Sequence, residues 1–300
     1  MVAVARPPRS ELPEFRRPWG ILHDPALDRA VAALDARRDC QAIARALSGD
    51  LFPFDITRSL EVALLHTYGA RRVAKLLAAT GEFERRGQRR YDDTGILIGR
   101  FVDMGWDHPE GAAALEQMNA IHGRFSIPND DFLFVLWTFI EFPIAWMKVY
   151  GWRAFSEHEA QAWFYFWSGV GERMGIREIP KDKAAFDAWV EAYEEREMIP
   201  TEAAAKVTEA TLEVSRGWLP SPFRFLVEPV ARCLCRPRFL HAAGLRPPHP
   251  WLRAVVHATL RVRSYIKRVL PLEPYGRTMA GQNWRSYPGG APSTSEVGPS

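Results

Sequence analysis

Two short segments carry the side chains best suited to chemistry. In the first, Arg89-Arg90-Tyr91-Asp92-Asp93-Thr94, the apolar residues Leu97, Ile98 and Phe101 follow at helical spacing. The same face, carried back by 3.6-residue turns, reaches Thr94 and Arg90, and Asp93 borders it beside Leu97. In the second, Leu115, Met118, Asn119 and His122 recur at i, i+3, i+4 and i+7, with Phe125 next. His122 therefore sits on the apolar stripe of a helix. An arginine aimed inward either pairs with an acid, such as Asp92 or Asp93, or faces a cavity. A buried imidazole either hydrogen-bonds within the core or ligates a metal, since an unpaired buried polar group is costly. Taken alone, His122 is explained more simply as a core residue. Two helices that both aim polar groups inward suggest a polar cluster in an apolar pocket, and name no reaction.

Helices must position these groups, and helix signals run the length of the chain. Asp24-Pro25 opens one over 25–37. A long run from Asp55 to Thr80 stops at Gly81. Further helices are expected over 87–103, 109–125 and from Asn129 or Asp130 to Tyr150, the last kinked at Pro143. Ser156 and Glu159 form a capping box for a helix to Met174. Others follow over 182–197, 201–216, 221–243 and 249–269. Neither a strand nor a repeat is discernible. The expectation is all-α: an irregular arm over 1–20, one multi-helix domain over 21–270, and a Pro/Gly/Ser-rich tail over 271–300 whose last fifteen or so residues read as disordered.

Composition removes several classes of function. The net charge of +3 carries no nucleic-acid signature. Three cysteines, Cys40, Cys233 and Cys235, are too few and too oddly spaced for a disulfide framework or a zinc site, and read as structural. The first twenty residues lack a leader's apolar stretch, and no uncharged run is long enough to span a bilayer, so the expected location is cytoplasmic. Serine-hydrolase, zincin, P-loop and dinucleotide motifs are absent. Eleven Trp and 17 Phe suggest a large aromatic interior. Asn129-Asp130-Asp131 reads as a helix cap before a cation site, and Glu141 as the acid for Arg90 or Lys148. His66 and His158 read as packing and surface residues. From Arg246 to Arg285 there are eight Lys or Arg and one acid, Glu273. The helix within that stretch either meets an anionic membrane peripherally, within residues 221–270, or is a solvated basic face.

From about Tyr68 to Ile176 the chain resembles the mpaB-type oxygenase family, related to the rubber oxygenases. The segments that carry the resemblance are TYGARRVAKLLAATGEF (67–83), RRYDDT (89–94), LEQMNAIHGRFSIPNDDFLFVLWTFIEFPIAWM (115–147), YGWRAFSEHEA (150–160) and GERMGI (171–176). The stretch WRSYPGGAPSTSEVGP (284–299) resembles the Pro-rich tail of fungal members.

The resemblance implies an all-α oxygenase that holds haem b between helices. By it, His122 is the iron ligand, and Arg90 and Thr94 lie on the opposite side of the cofactor. His122, Arg90, Thr94 and Asn119 are then the cofactor-binding residues, and Arg90, Asp93 and Thr94 the catalytic ones. Asp93 serves as a base or as an ion-pair partner of Arg90. A lysine of the rubber oxygenases is replaced by Asp93, which implies a smaller prenyl or terpenoid chain than rubber. The expected reaction is oxidation or cleavage of a C=C bond of an isoprenoid or lipid-like substrate with dioxygen. The alternatives are a non-catalytic haem or lipid carrier, and a helical protein that docks to membranes.

Overall fold

The computed structural model describes residues 25–269 and 278–298. The arm expected over 1–20 lies outside the described residues. Among these the chain forms thirteen α-helices and no strand, the all-α class that its periodicity implies. They are α1 (Pro25–Ala33), α2 (Cys40–Ala46), α3 (Pro53–Thr67), α4 (Arg71–Thr80), α5 (Glu82–Met104), α6 (Pro109–His122) and α7 (Asn129–Tyr150). After these come α8 (Glu157–Arg173), α9 (Lys183–Glu197), α10 (Glu202–Arg216), α11 (Val227–Leu234), α12 (Pro237–Ala242) and α13 (Pro250–Val269).

Several boundaries fall where capping chemistry places them, although α7 starts after Pro128 with no side-chain cap from Asn129 or Asp130. Ser156 caps α8 with the full reciprocal box to Glu159, and Asp182 and Thr201 cap α9 and α10. Three departures stand out. The run 55–80 breaks into α3 and α4 around Gly69, where a Cβ would stand 2.3 Å from the Met198 side chain. The run 221–243 becomes a 3₁₀ turn (Ser221–Leu226), α11 and α12, because Arg236 precedes Pro237 and is held extended at ψ 149°. The short α2, without a side-chain cap, follows no strong sequence signal.

α7 is the axis of the core. It is long and apolar enough to cross a membrane, yet α3, α8, α9 and α13 pack around it. Phe134, Ile140, Phe142 and Trp146 on it are buried, and the helix runs through Pro143 to Tyr150. Asp131, in its first turn, is no cation ligand here: it takes Arg72 at 2.6 Å and the Tyr193 hydroxyl at 2.7 Å.

The pair α5 and α6 frames the site. A tight turn at Gly105 (φ 77°) reverses the chain, and α6 packs back on α5. The close approach requires glycine: a Cβ on Gly111 would lie 1.9 Å from the Gly105 carbonyl oxygen. This hairpin brings the end of α6, with His122, to the beginning of α5, with Arg90.

Residues 278–298 are not a loose tail. They pack on the outer face of α5, where Gly95 and Gly99 leave a groove. Met279, Trp284 and Val297 are buried in it. Asp103 accepts hydrogen bonds from the Met279 and Ala280 amides at 3.0 and 2.8 Å. Asp92 accepts from the Ser286 amide at 2.7 Å. Composition read much of this segment as disordered; the buried aspartates, invisible to a composition argument, order it.

Two outcomes follow from this packing. Gly111→Ala should lose about 1–3 kcal/mol in denaturant unfolding by forcing α6 off α5, whereas Gly289→Ala, with open space around it, should stay within about 0.5 kcal/mol of wild type. The second concerns His66 of α3, whose Nε2 lies 2.7 Å from Glu194 Oε1 in the core. Burial lowers its pKa despite that carboxylate. The unfolded imidazole, at its ordinary value of about 6.5, takes up a proton that the folded one resists. Its contribution is therefore present above that pH and lost as pH falls. The thermal midpoint should drop as pH is lowered from roughly 6.5 to 5, and His66→Gln should flatten that drop.

Candidate active site

α5 presents two different faces. On the inner one, Arg90 Nη1 donates to Thr94 Oγ1 at 2.5 Å, and that hydroxyl donates to the Arg90 carbonyl at 2.8 Å. The threonine thus pins the guanidinium one turn along its own helix. Among the described residues no carboxylate lies within 4 Å of Arg90; its guanidinium carbon stands 6.0 Å from the Phe83 ring centroid. Arg90 and Thr94 both line a cavity of about 1040 Å³, whose walls are mostly apolar and include Phe83, Leu97, Phe101, Phe132, Phe139 and Trp167.

His122 lines the same cavity from the last turn of α6. Its ring meets Phe132 edge-on at 5.5 Å. The Nδ1 atom is fully shielded from solvent and has no hydrogen-bond partner. Burial first, and the Arg90 charge second, hold its pKa down to about 4. The ring is therefore neutral at pH 7, with a lone pair to offer and a buried nitrogen that has no partner among the described residues. His66 and His158 also leave Nδ1 unpartnered, but each engages its Nε2, with Glu194 and with the Leu34 carbonyl; His122 has no such bond among the described residues.

Asp93 and Asn119 are placed elsewhere. Asp93 lies on the outer face of α5, where its carboxylate accepts from the Tyr287 hydroxyl at 2.5 Å and the Gly298 amide at 3.2 Å, with Arg89 at 4.0 Å. It is neither the ion-pair partner of Arg90 nor among the cavity residues. Burial raises its pKa; burial and then Asp93 itself push the Tyr287 phenol up to about 12, so the phenol stays protonated and donates. Asn119 Nδ2 donates to the Arg173 carbonyl at 2.9 Å, which ties α6 to the end of α8. Of the stripe read from the sequence, Met118, His122 and Phe125 line the cavity, with Ile121. Glu141, expected to pair with Arg90 or Lys148, instead takes Lys183 at 2.6 Å and Arg236 at 2.7 Å.

The structure adds residues that periodicity did not single out. Tyr68 lines the cavity fully buried, its pKa pushed up to about 12 by burial with the Arg90 charge opposing. A second polar cluster lines the cavity from α3 and α5: Arg58 Nη2 is 2.7 Å from Glu61 Oε1, and the Tyr91 hydroxyl donates to the same oxygen. Arg58 and Glu61 stand at i, i+3 on one helix, a surface-pair pattern that conceals their place on a cavity wall. Beyond them the wall is completed by Trp218, Leu226, Val227 and Leu234, and by Leu260 of α13.

The position of Asp93 can be tested by stability. Asp93→Ala removes the acceptor of Tyr287 and Gly298, and should cost about 1–3 kcal/mol and open residues 278–298 to limited proteolysis. A variant with unchanged unfolding midpoint and protease pattern would return Asp93 to the list of reacting groups.

Residues 59–285 match the family described as ER-bound oxygenase mpaB/B'/Rubber oxygenase, catalytic domain. The chain is 26% identical over 237 residues to the ER-bound oxygenase mpaB' of Penicillium brevicompactum, a match covering 73% of this chain and 56% of that protein. To the ER-bound oxygenase mpaB of the same organism it is 29% identical over 226 residues, covering 68% and 57%. To that of Penicillium roqueforti (strain FM164) it is 28% identical over 167 residues, covering 50% and 56%. The chain thus spans a little over half the length of the curated relatives it matches. The matched region runs from α3 to the packed C-terminal segment and takes in Arg90, Thr94 and His122. On that match the chain belongs to the mpaB and rubber oxygenase catalytic-domain family.

Proposed function

We propose that this protein is a haem-dependent oxygenase that oxidises or cleaves a C=C bond of an apolar isoprenoid or terpenoid substrate. The observation that carries the proposal is a neutral, cavity-facing His122 with an unpartnered buried Nδ1, in one apolar space with the Arg90 and Thr94 pair. Family membership supports the oxygenase class.

The residues present fit haem b. The donor is an imidazole held neutral, which iron requires. The cavity, at about 1040 Å³, lies at the upper end of the roughly 300–1,000 Å³ usual for ligand pockets, as a bulky cofactor requires. When bound, haem supplies an iron centre that activates dioxygen toward an alkene. His122 holds the iron. Arg90 brings a fixed positive charge to the same space, and Thr94 fixes its direction; together they stabilise negative charge that builds on oxygen during the reaction. Phe83, Phe132, Phe139 and Trp167 keep water out and align an apolar substrate. Asp93 and Asn119 act as positioning residues in this reading, one holding α5 and the other α6. The naming of the relatives as ER-bound oxygenases supports a membrane-associated location.

The test is an absorption spectrum of protein expressed with a haem precursor. Wild type should show a Soret band and His122→Ala should lose it. Arg90→Leu should keep the band while dioxygen uptake on an isoprenoid falls by roughly 10²–10³-fold. A colourless wild type that rejects added hemin overturns the cofactor assignment. Bound haem without turnover on any alkene would make the chain a carrier.

A further inference from the structure

We infer that the 3₁₀ turn Ser221–Leu226 and the outer face of α13 together dock on an anionic membrane surface, beside a rim of the cavity. The starting observation is an inverted helix. Trp251, Val255, Val262 and Tyr265 of α13 are 61, 53, 57 and 66% exposed. Their spacing of i, i+4, i+11 and i+14 puts them on one stripe. Two of the helix's cations face inward instead: Arg263 meets Asp55 at 2.9 Å, and Lys267 is buried. A solvated basic face packed through its apolar side would show the opposite arrangement. α13 packs on α11, and the turn leading into α11 exposes Phe223 (53%) and Phe225 (72%). Exposed apolar surface that gathers several aromatics in adjoining elements marks an interaction site.

Charge selects the occupant. No Asp or Glu occurs between residues 229 and 272, while the same stretch contains nine Lys or Arg. Arg246, Arg261 and Arg268 among them are exposed. A second copy of this chain would oppose the same positive surface to itself, which is unfavourable. An anionic lipid surface satisfies both features: phosphate headgroups take the arginines, and the aromatic rings sit at headgroup depth. The docking face is continuous with the cavity. Leu219 and Leu226 are exposed and also line it, and Leu260 of α13 lines it from within. On the function proposed above, an apolar substrate would pass from lipid to the cavity without crossing water; the docking itself does not rest on that reading.

The experiment is sedimentation of the full chain with vesicles of phosphatidylcholine alone or with phosphatidylserine, alongside its sedimentation coefficient without lipid. Wild type should pellet with the anionic vesicles and stay soluble with the neutral ones. Arg246→Glu with Arg261→Glu should weaken binding by roughly tenfold or more. Phe223→Ser with Phe225→Ser, and separately Trp251→Ser with Tyr265→Ser, should weaken it with circular dichroism unchanged. A wild type that ignores anionic vesicles, or one whose binding survives all three double variants, overturns the inference. So does a stable dimer that the aromatic variants convert to monomer. Hemin binding measured on the same samples separates the two proposals: vesicle binding without hemin uptake leaves docking intact and removes the haem reading.

Discussion

A guanidinium with no carboxylate partner among the described residues, set in a mostly apolar cavity, is the interaction on which the rest of this architecture turns. Arg90 is held by a threonine hydroxyl beside the Phe83 ring, and its charge adds to burial in lowering the pKa of His122 on the adjacent helix. Desolvating such a charge is unfavourable, and the Thr94 hydroxyl and a half-exposed position limit that cost, while the other face of α5 is tied down from behind. Asp92, Asp93 and Asp103 on the outer face clamp a segment nearly two hundred positions away. Gly95 and Gly99 let that segment lie flat on the helix. The inner face is then free to carry polar groups that do not contribute to packing.

The same logic separates what was legible in the sequence from what was not. Helical periodicity requires only neighbours within one element, and it placed Arg90, Thr94 and His122 on inward faces. It could not tell which of two buried faces a residue belonged to. Asp93 borders the Thr94 face in projection, yet it points to Tyr287, a partner 194 residues away. Asn119 shares a stripe with His122 and still turns to the Arg173 carbonyl. Glu141 found Lys183 and Arg236 rather than the nearer-seeming Arg90. Each miss is a long-range partner choice, which period and spacing do not encode.

The cavity is assembled from distant parts of the chain, which explains why no single segment announces it. α3 to α6 supply the polar groups, and α7 and α8 supply the aromatic wall. α10, α11 and α13 close the remaining side. The two polar clusters, Arg90 with Thr94 and Arg58 with Glu61 and Tyr91, lie on one continuous surface. An elongated apolar molecule in that space meets a charged group in two places, so its length and the position of any polar end matter to its orientation.

The C-terminal strap has a consequence for biosynthesis. A ribosome delivers α5 long before residues 278–298, so three carboxylates on its outer face wait without their amide and phenol donors through most of translation. Closing contacts across 176 to 205 positions is entropically slow. The outer face of α5 therefore gains its partners late, after the helices around α7 are already available to pack. The nascent chain passes most of its synthesis with the scaffold present and that face still open.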